Sequence, residues 1–202
     1  MNLARTALAA ALLAVPLFAA GGETEKNLIA NGSFDDAKNP LAGWTTDYAW
    51  TKNSHYVGNK DQVTVEAGVA HMKSPGDAGV KLECIPIPFE PGYRYEATFD
   101  VKGGPYRIYF AGYRWRPDAK PHANPKPEEL RLIYKSKALA ASSKSWNRET
   151  ISLPGVKLSA AARNHLKYVQ FLSLYIWMAR DGQIDKVTIK KIPDPNQRNS
   201  PD

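Results

Sequence analysis

Between Tyr93 and Lys102 the chain reads YRYEATFDVK, with apolar and polar residues exchanging at every step. A period of two suits an extended strand with one buried face, because successive strand side chains point to opposite sides of a sheet. The same short-range alternation recurs along most of the sequence, interrupted by clusters of Gly, Pro, Asn and Asp. It predicts strands over 27–30, 44–50, 62–66, 69–73, 79–87, 93–102, 106–116, 130–137, 148–153, 168–178 and 183–192. Only 159–166 (SAAARNHL) offers a turn or two of helix. Many short strands with turn signals between them predict an all-β fold, an antiparallel β-sandwich. A chain of 202 residues is long enough for one sizeable core. No internal repeat divides it, so one domain is expected over 22–192. The Pro-rich stretch 117–129 has no periodicity and predicts a surface loop, and 193–202 has no apolar anchor and reads as a disordered tail.

The first residues, MNLARTALAAALLAVPLFAAGG, have Arg5, an apolar run from Ala7 to Phe18 and then small residues. That is the pattern of a secretory signal peptide, here over 1–21. The apolar run is shorter than the ~20 residues that span a bilayer, and no later segment is long and apolar enough to do so. The expected location is secreted or periplasmic. The one cysteine, Cys84, excludes an internal disulfide. It alternates with Lys81 and Glu83 in VKLECIPI and reads as a small buried thiol on a strand. The formal charge is +7, and loss of Arg5 with the leader lowers it by one. Such an excess suits solubility and anionic partners such as an acidic polysaccharide. An exported protein is not expected to meet nucleic acid. The four histidines have no metal-ligand spacing.

Strand parity sorts the aromatic residues of 106–116 and 168–178. Ile108, Phe110 and Gly112 share one face, while Arg107, Tyr109, Ala111, Tyr113 and Trp115 share the other. Likewise Leu172, Leu174 and Ile176 oppose Ser173, Tyr175 and Trp177. In 93–102, Tyr93, Tyr95, Ala97, Phe99 and Val101 point inward, while Arg94, Glu96, Thr98 and Asp100 point outward. The second faces are rich in rings and guanidiniums, which suits sugar recognition. The apolar side of a pyranose stacks on Tyr or Trp, and its hydroxyls bond to Arg and carboxylates. The candidate ligand-binding residues are Arg107, Tyr109, Tyr113, Trp115, Tyr175, Trp177 and Glu96. Phe110 is expected in the core.

Four segments carry a family likeness. They are NLIANGSFDDAKNPLAGW at 27–44, FEPGYRYEATFDVKG at 89–103, SWNRETISL at 145–153 and GQIDKVTI at 182–189. In their order and spacing they resemble carbohydrate-binding modules with the galactose-binding-like jelly-roll fold, the group that includes cellulose-, xylan- and glucan-binding modules. The resemblance spans about 27–192. It implies a jelly roll whose first and last strands meet, and structural roles for Trp44 and Trp146. It also implies a structural calcium site, whose matching residues are Asp35, Asp185 and the Gly32 carbonyl. Lys186 stands where such modules usually carry a second closing acid.

No G-x-S-x-G, H-E-x-x-H or phosphate loop is present. Glu96 and Asp100 share a strand face but lie ~13 Å apart along it, too far for a glycosidase pair. The expectation is therefore a secreted, non-catalytic carbohydrate-binding protein whose partner is a polysaccharide or oligosaccharide. A structural or adhesive envelope protein is the second reading. A polysaccharide lyase or hydrolase, using Tyr and Arg with a carboxylate, is the third.

Overall fold

A computed structural model of the chain describes residues 26–46, 60–76, 78–155 and 159–194. The expected signal peptide lies outside the described residues. Along the described chain run β1 (Trp44–Thr45), β2 (Val63–Glu66), β3 (Val69–Met72), β4 (Val80–Cys84), β5 (Ile87–Pro88), β6 (Tyr93–Trp115), β7 (Leu130–Lys135), β8 (Leu139–Leu153), β9 (Phe171–Met178) and β10 (Gly182–Pro193). One short helix, α1 (Ala160–Leu166), begins at Ser159, whose side chain accepts the Ala162 N–H.

All the pairings are antiparallel, and the strands form one sheet folded on itself. The fold line is in β6. The two predicted strands 93–102 and 106–116 are one strand bent at Gly103-Gly104, both with positive φ. At Gly103 the chain passes so close to Asp181 and Gly182 that a Cβ would stand 2.5 Å from the Asp181 carbonyl oxygen, so only glycine fits. Before the bend β6 pairs with β10 and β8; after it, β6 pairs with β9 and β7, and β8 follows it round the bend as far as Ile108. The result is two layers, β8-β6-β10-β3-β2 and β7-β6-β9-β4-β1.

The main core lies between them. Tyr95, Ala97, Phe99 and Val101 from the first half of β6 meet Ile108 and Phe110 from the second half. Leu172, Leu174, Ile176 and Met178 of β9, with Val80 and Leu82 of β4, complete the second layer's contribution. These are the inward positions that alternation predicts.

The first and last predicted strands meet as expected, around residues 28–32 and 187–189, though not as two regular strands. Residues 28–33 are turns and bends. Leu28 N–H bonds to the Ile189 carbonyl at 2.8 Å, and Val187 N–H bonds to the Gly32 carbonyl at 2.8 Å. Asn27 supplies the remaining links through its side chain, accepting from Ile189 N–H and donating to the Val187 carbonyl. A side chain thus replaces part of the ladder, so the predicted strand 27–30 does not form.

Other boundaries differ for local reasons. Pro86 has no N–H, so 79–87 divides into β4 and β5. β8 starts nine residues earlier than the predicted Arg148, at Leu139. It forms an exposed edge held by its backbone ladder to β6, so the polar run AASSKS needs no alternation. Of the expected tail only Pro193 and Asp194 are described, and 195–202 lie outside the described residues. Pro193 pairs with Tyr93, and Asp194 N–H bonds to the Gly92 carbonyl. Trp44 is buried, stacks on Phe34 and donates its indole N–H to the Asn31 carbonyl. Trp146 does not share that role: it is 44% exposed on β8.

Candidate functional site

The outer face of the second layer is built by rows of residues across β4, β9, β6 and β7. One row is Glu83, Tyr175 and Tyr109; the next is Lys81, Trp177 and Arg107. Toward the other end, Ser173 pairs with Ala111, Phe171 with Tyr113, and Tyr113 with Leu132. The register against β7 slips between Gly112 and Tyr113, but Ile133 of β7 is the residue left over. β6 stays in register with β9 throughout, so its alternation is unbroken.

The rings form a second apolar cluster separate from the main core. Ala111, Tyr113, Leu130, Phe171 and Tyr175 are buried in it, with Tyr109, Trp115, Leu132 and Trp177 packed partly buried against them. Tyr109 stacks on Tyr175 with centroids 4.6 Å apart, and Trp115 meets Phe171 edge-on at 5.5 Å. Cations flank the rings within the distance at which ring quadrupoles attract them. Arg107 is 5.6 Å from Trp177, and Lys135 is 5.8 Å from Tyr109. Trp177 donates its indole N–H to the Ala78 carbonyl, and the adjacent Gly79 leaves room for the ring.

Parity therefore brings Arg107, Tyr109, Tyr113, Trp115, Tyr175 and Trp177 to one face. Depth divides them. Tyr109, Trp115 and Trp177 keep exposed surface, and Arg107 is exposed. Tyr113 has none and Tyr175 has 6%. These two are the floor of the face rather than its surface. Glu96 is not part of the group. It lies on the first half of β6, opposite Lys190 and Ser152, with Arg94 4.0 Å away. The bend at Gly103-Gly104 sends the outward positions of the two halves to different layers.

Sequence reading missed Lys81 and Glu83. Both alternate outward on β4, yet each is only 3% exposed, because the rings cover the outer face of their layer. Tyr113 donates its phenol to Glu83 Oε1 at 2.5 Å. Ser173 lies beside this carboxyl, but its hydroxyl donates to the Cys84 carbonyl. Glu83 Oε2 has no hydrogen-bond partner among the described residues. Burial raises the Glu83 pKa to about 7, against the pull of the Tyr113 bond, Ser173 and the Lys81 charge. Burial lowers Lys81 to about 8, opposed by Glu83. Burial, then the Glu83 charge, pushes the Tyr109 and Tyr113 phenols well above the ordinary range. Cys84 is buried and pushed up to about 12, which keeps it a thiol. The loop 117–129 folds back toward the rings: His122 lies 5.1 Å from Trp115 and is held by Glu129 at 2.9 Å.

Where the first described turns meet β10, the Gly32 carbonyl accepts the Val187 N–H. Asp185 Oδ1 accepts the Lys186 N–H at 2.6 Å, and Asp35 Oδ1 lies against Gly68. No three His, Cys, Asp or Glu side chains among the described residues are grouped so as to hold a metal ion. Nor is any helix among them long and apolar enough to cross a membrane.

No family model matches the chain, and no curated protein does. Among solved structures it is similar to one described as "CBM4 structure and function", at 16% identity and a TM-score of 0.45, covering 81% of this chain and 99% of that one. It is also similar to the N-terminal cellulose-binding domain of β-1,4-glucanase C from Cellulomonas fimi, at 13% identity and a TM-score of 0.42, covering 84% and 99%. A family 11 carbohydrate-binding module from Clostridium thermocellum, in complex with a β-1,3-1,4-mixed-linked tetrasaccharide, is similar at 12% identity and a TM-score of 0.35, covering 64% and 79%.

Proposed function

We propose that this protein binds carbohydrate, without catalysis, on the outer face of its second layer. The observation that carries the reading is the set of part-exposed rings, Tyr109, Trp115 and Trp177, flanked by Arg107 and Lys135 on one continuous sheet surface. Trp177 pairs with Arg107, so the track from Trp177 to Trp115 covers eight residues of β6. At the rise of a strand that is about 26 Å. Such a track suits an oligosaccharide rather than a single sugar. Rigid rings give contact area with little side-chain entropy to lose, and the buried Tyr113–Glu83 bond beneath them supports that rigidity.

The same bond bears on catalysis. A phenol and a carboxylate in hydrogen-bond reach are the types a lyase would use. Here both are sealed, Tyr113 at 0% and Glu83 at 3% exposure, so no substrate reaches them in this arrangement. That supports binding over chemistry. Export is part of the proposal and rests on the leader-like residues 1–21.

The test is an array of neutral and acidic polysaccharides, followed by affinities of single variants for the best ligand. Trp115→Ala and Trp177→Ala are each expected to weaken binding by about 1–3 kcal/mol, the worth of a stacked ring. Glu96→Gln, on the other layer, is expected to leave affinity unchanged. Full affinity in both tryptophan variants would remove the face from consideration.

A structural calcium ion beside the Gly32–Val187 contact belongs to the proposal as well. Asp35 and Asp185 each stand within three residues of the Gly32–Val187 bond, which supports it. Two carboxylates are few for an ion that takes six to eight oxygens, so backbone carbonyls and water would supply the rest. If the ion binds the folded state, a chelator lowers the melting temperature, and Asp185→Ala abolishes that response. An identical melt with and without chelator counts against the ion.

A further inference from the structure

The ring track does not stop at Trp115. Beyond it lies a depression of about 360 Å³ lined by Arg114, Trp115, Pro117, Lys167, Tyr168 and Gln170. Trp115 therefore belongs to both the track and the depression, whereas Arg114, of opposite parity, comes to the depression from the other face of β6 at the end of that strand. Tyr168 is 61% exposed and lines the depression together with Trp115, so two rings border it. Gln170 accepts the Trp115 N–H through its Oε1, so its amide nitrogen is left to face other acceptors. Two of the six lining residues are cations, and none is a carboxylate.

A second feature points the same way. Arg114 stands directly across from Arg131 on β7. Like charges opposite one another on adjacent strands are destabilising. None of Arg114, Arg131 and Lys167 makes an ion pair among the described residues. The acids that follow in the adjoining loop do not line the depression. Glu129 is bonded to His122 and to the Lys126 N–H, while Asp118 and Glu128 are exposed. Along the track itself, Arg107 and Lys135 add positive charge, and Glu83 beneath is held by Tyr113.

We infer that the glycan is anionic, and that the depression beside Trp115 receives a sugar's acidic group. Arg114 and Lys167 hold the anion, the Gln170 amide donates to it, and Trp115 and Tyr168 pack on the ring that carries it. A guanidinium binds a carboxylate or a sulfate ester through paired, charge-assisted hydrogen bonds. The inference rests on the ring face being the sugar-binding surface.

The experiment titrates the full protein with three probes: an oligouronate, the same oligosaccharide with its carboxyls reduced, and a sulfated neutral oligosaccharide. An acidic probe should bind about tenfold or more tightly than the reduced one, as one good charge-assisted contact implies. Which acidic probe wins decides between carboxylate and sulfate. Arg114→Gln and Lys167→Gln should each erase most of that advantage while leaving binding of the reduced probe unchanged. Trp115→Ala should weaken all three. Lys144→Gln, an exposed cation on β8, should change nothing. Equal binding of acidic and reduced probes overturns the inference and leaves the ring reading intact. So does an advantage that Lys144→Gln lowers as much as Arg114→Gln, since net charge alone would then explain it. Binding of none of the three probes overturns the inference, and the polysaccharide array with the tryptophan variants then decides the ring reading separately.

Discussion

Replacing Phe110 with alanine is expected to cost about 3–5 kcal/mol of stability, the range for a large buried aromatic cut back in a packed core. Phe110 is fully buried on the inner side of β6 and pairs with Leu174. Its backbone N–H bonds to Ser136 Oγ and its carbonyl accepts the Ser136 N–H, both at 2.9 Å. Those bonds survive the substitution, so the loss measures packing alone. For a chain of this size it corresponds to a melting temperature lower by roughly 6–20 °C. Any folded variant should still bind glycan, because the ring face lies on the other side of the strand. Trp115→Ala should show the opposite profile, with weak binding and a small change in melting temperature. The measurement is a melting temperature and an affinity for each variant. If Trp115→Ala and Trp177→Ala unfold the protein as badly as Phe110→Ala, the rings serve as core and not as a binding surface.

The second large effect concerns pH. Glu83 is buried, and its pKa is raised from 4.5 to about 7. A carboxyl that titrates higher in the folded state holds its proton there after the unfolded chain has released it. Between about pH 4.5 and 7 the folded state binds more protons, so stability falls as pH rises and levels off above about 7. A displacement of this size amounts to about 3 kcal/mol. The other displaced groups act elsewhere. Asp36, Asp100 and Glu129 are lowered, so their contributions are lost only in more acidic solution. Lys81, lowered to about 8, makes stability rise with pH between about 8 and 10.5. Urea unfolding at pH 5 and pH 8 should show the wild type less stable at the higher pH. Glu83→Gln keeps an acceptor for the Tyr113 phenol and removes the titration, so the difference should largely vanish. A variant that keeps the full difference would place the titrating group elsewhere.

Much of this molecule was legible as alternation. The pattern YRYEATFDVK assigned Tyr95, Ala97, Phe99 and Val101 to the core, and parity set Ile108 and Phe110 against Tyr109, Tyr113 and Trp115. The physical reason is that side-chain direction in a strand is local: it needs only the neighbouring residue and an unbroken register. The approach of Asn27-Leu28 to Val187–Ile189 was likewise legible, through motif order, although the side chain of Asn27 does part of the pairing.

Depth was decided only by the tertiary structure. Alternation says that Lys81 and Glu83 leave the core, but not that Tyr109, Tyr113 and Tyr175 from two other strands roof them over. Nor does it separate Tyr113, buried on the floor, from Trp115 at the surface two residues on. Burial is a property of everything that comes to lie above a residue, and that comes from distant parts of the chain. Glu96 shows the same limit from the other side. It shares outward parity with the residues around it, but the bend at Gly103-Gly104 carries its half of β6 into the other layer. Two residues with φ above 100°, the region glycine tolerates, thus decide which outward residues can act together.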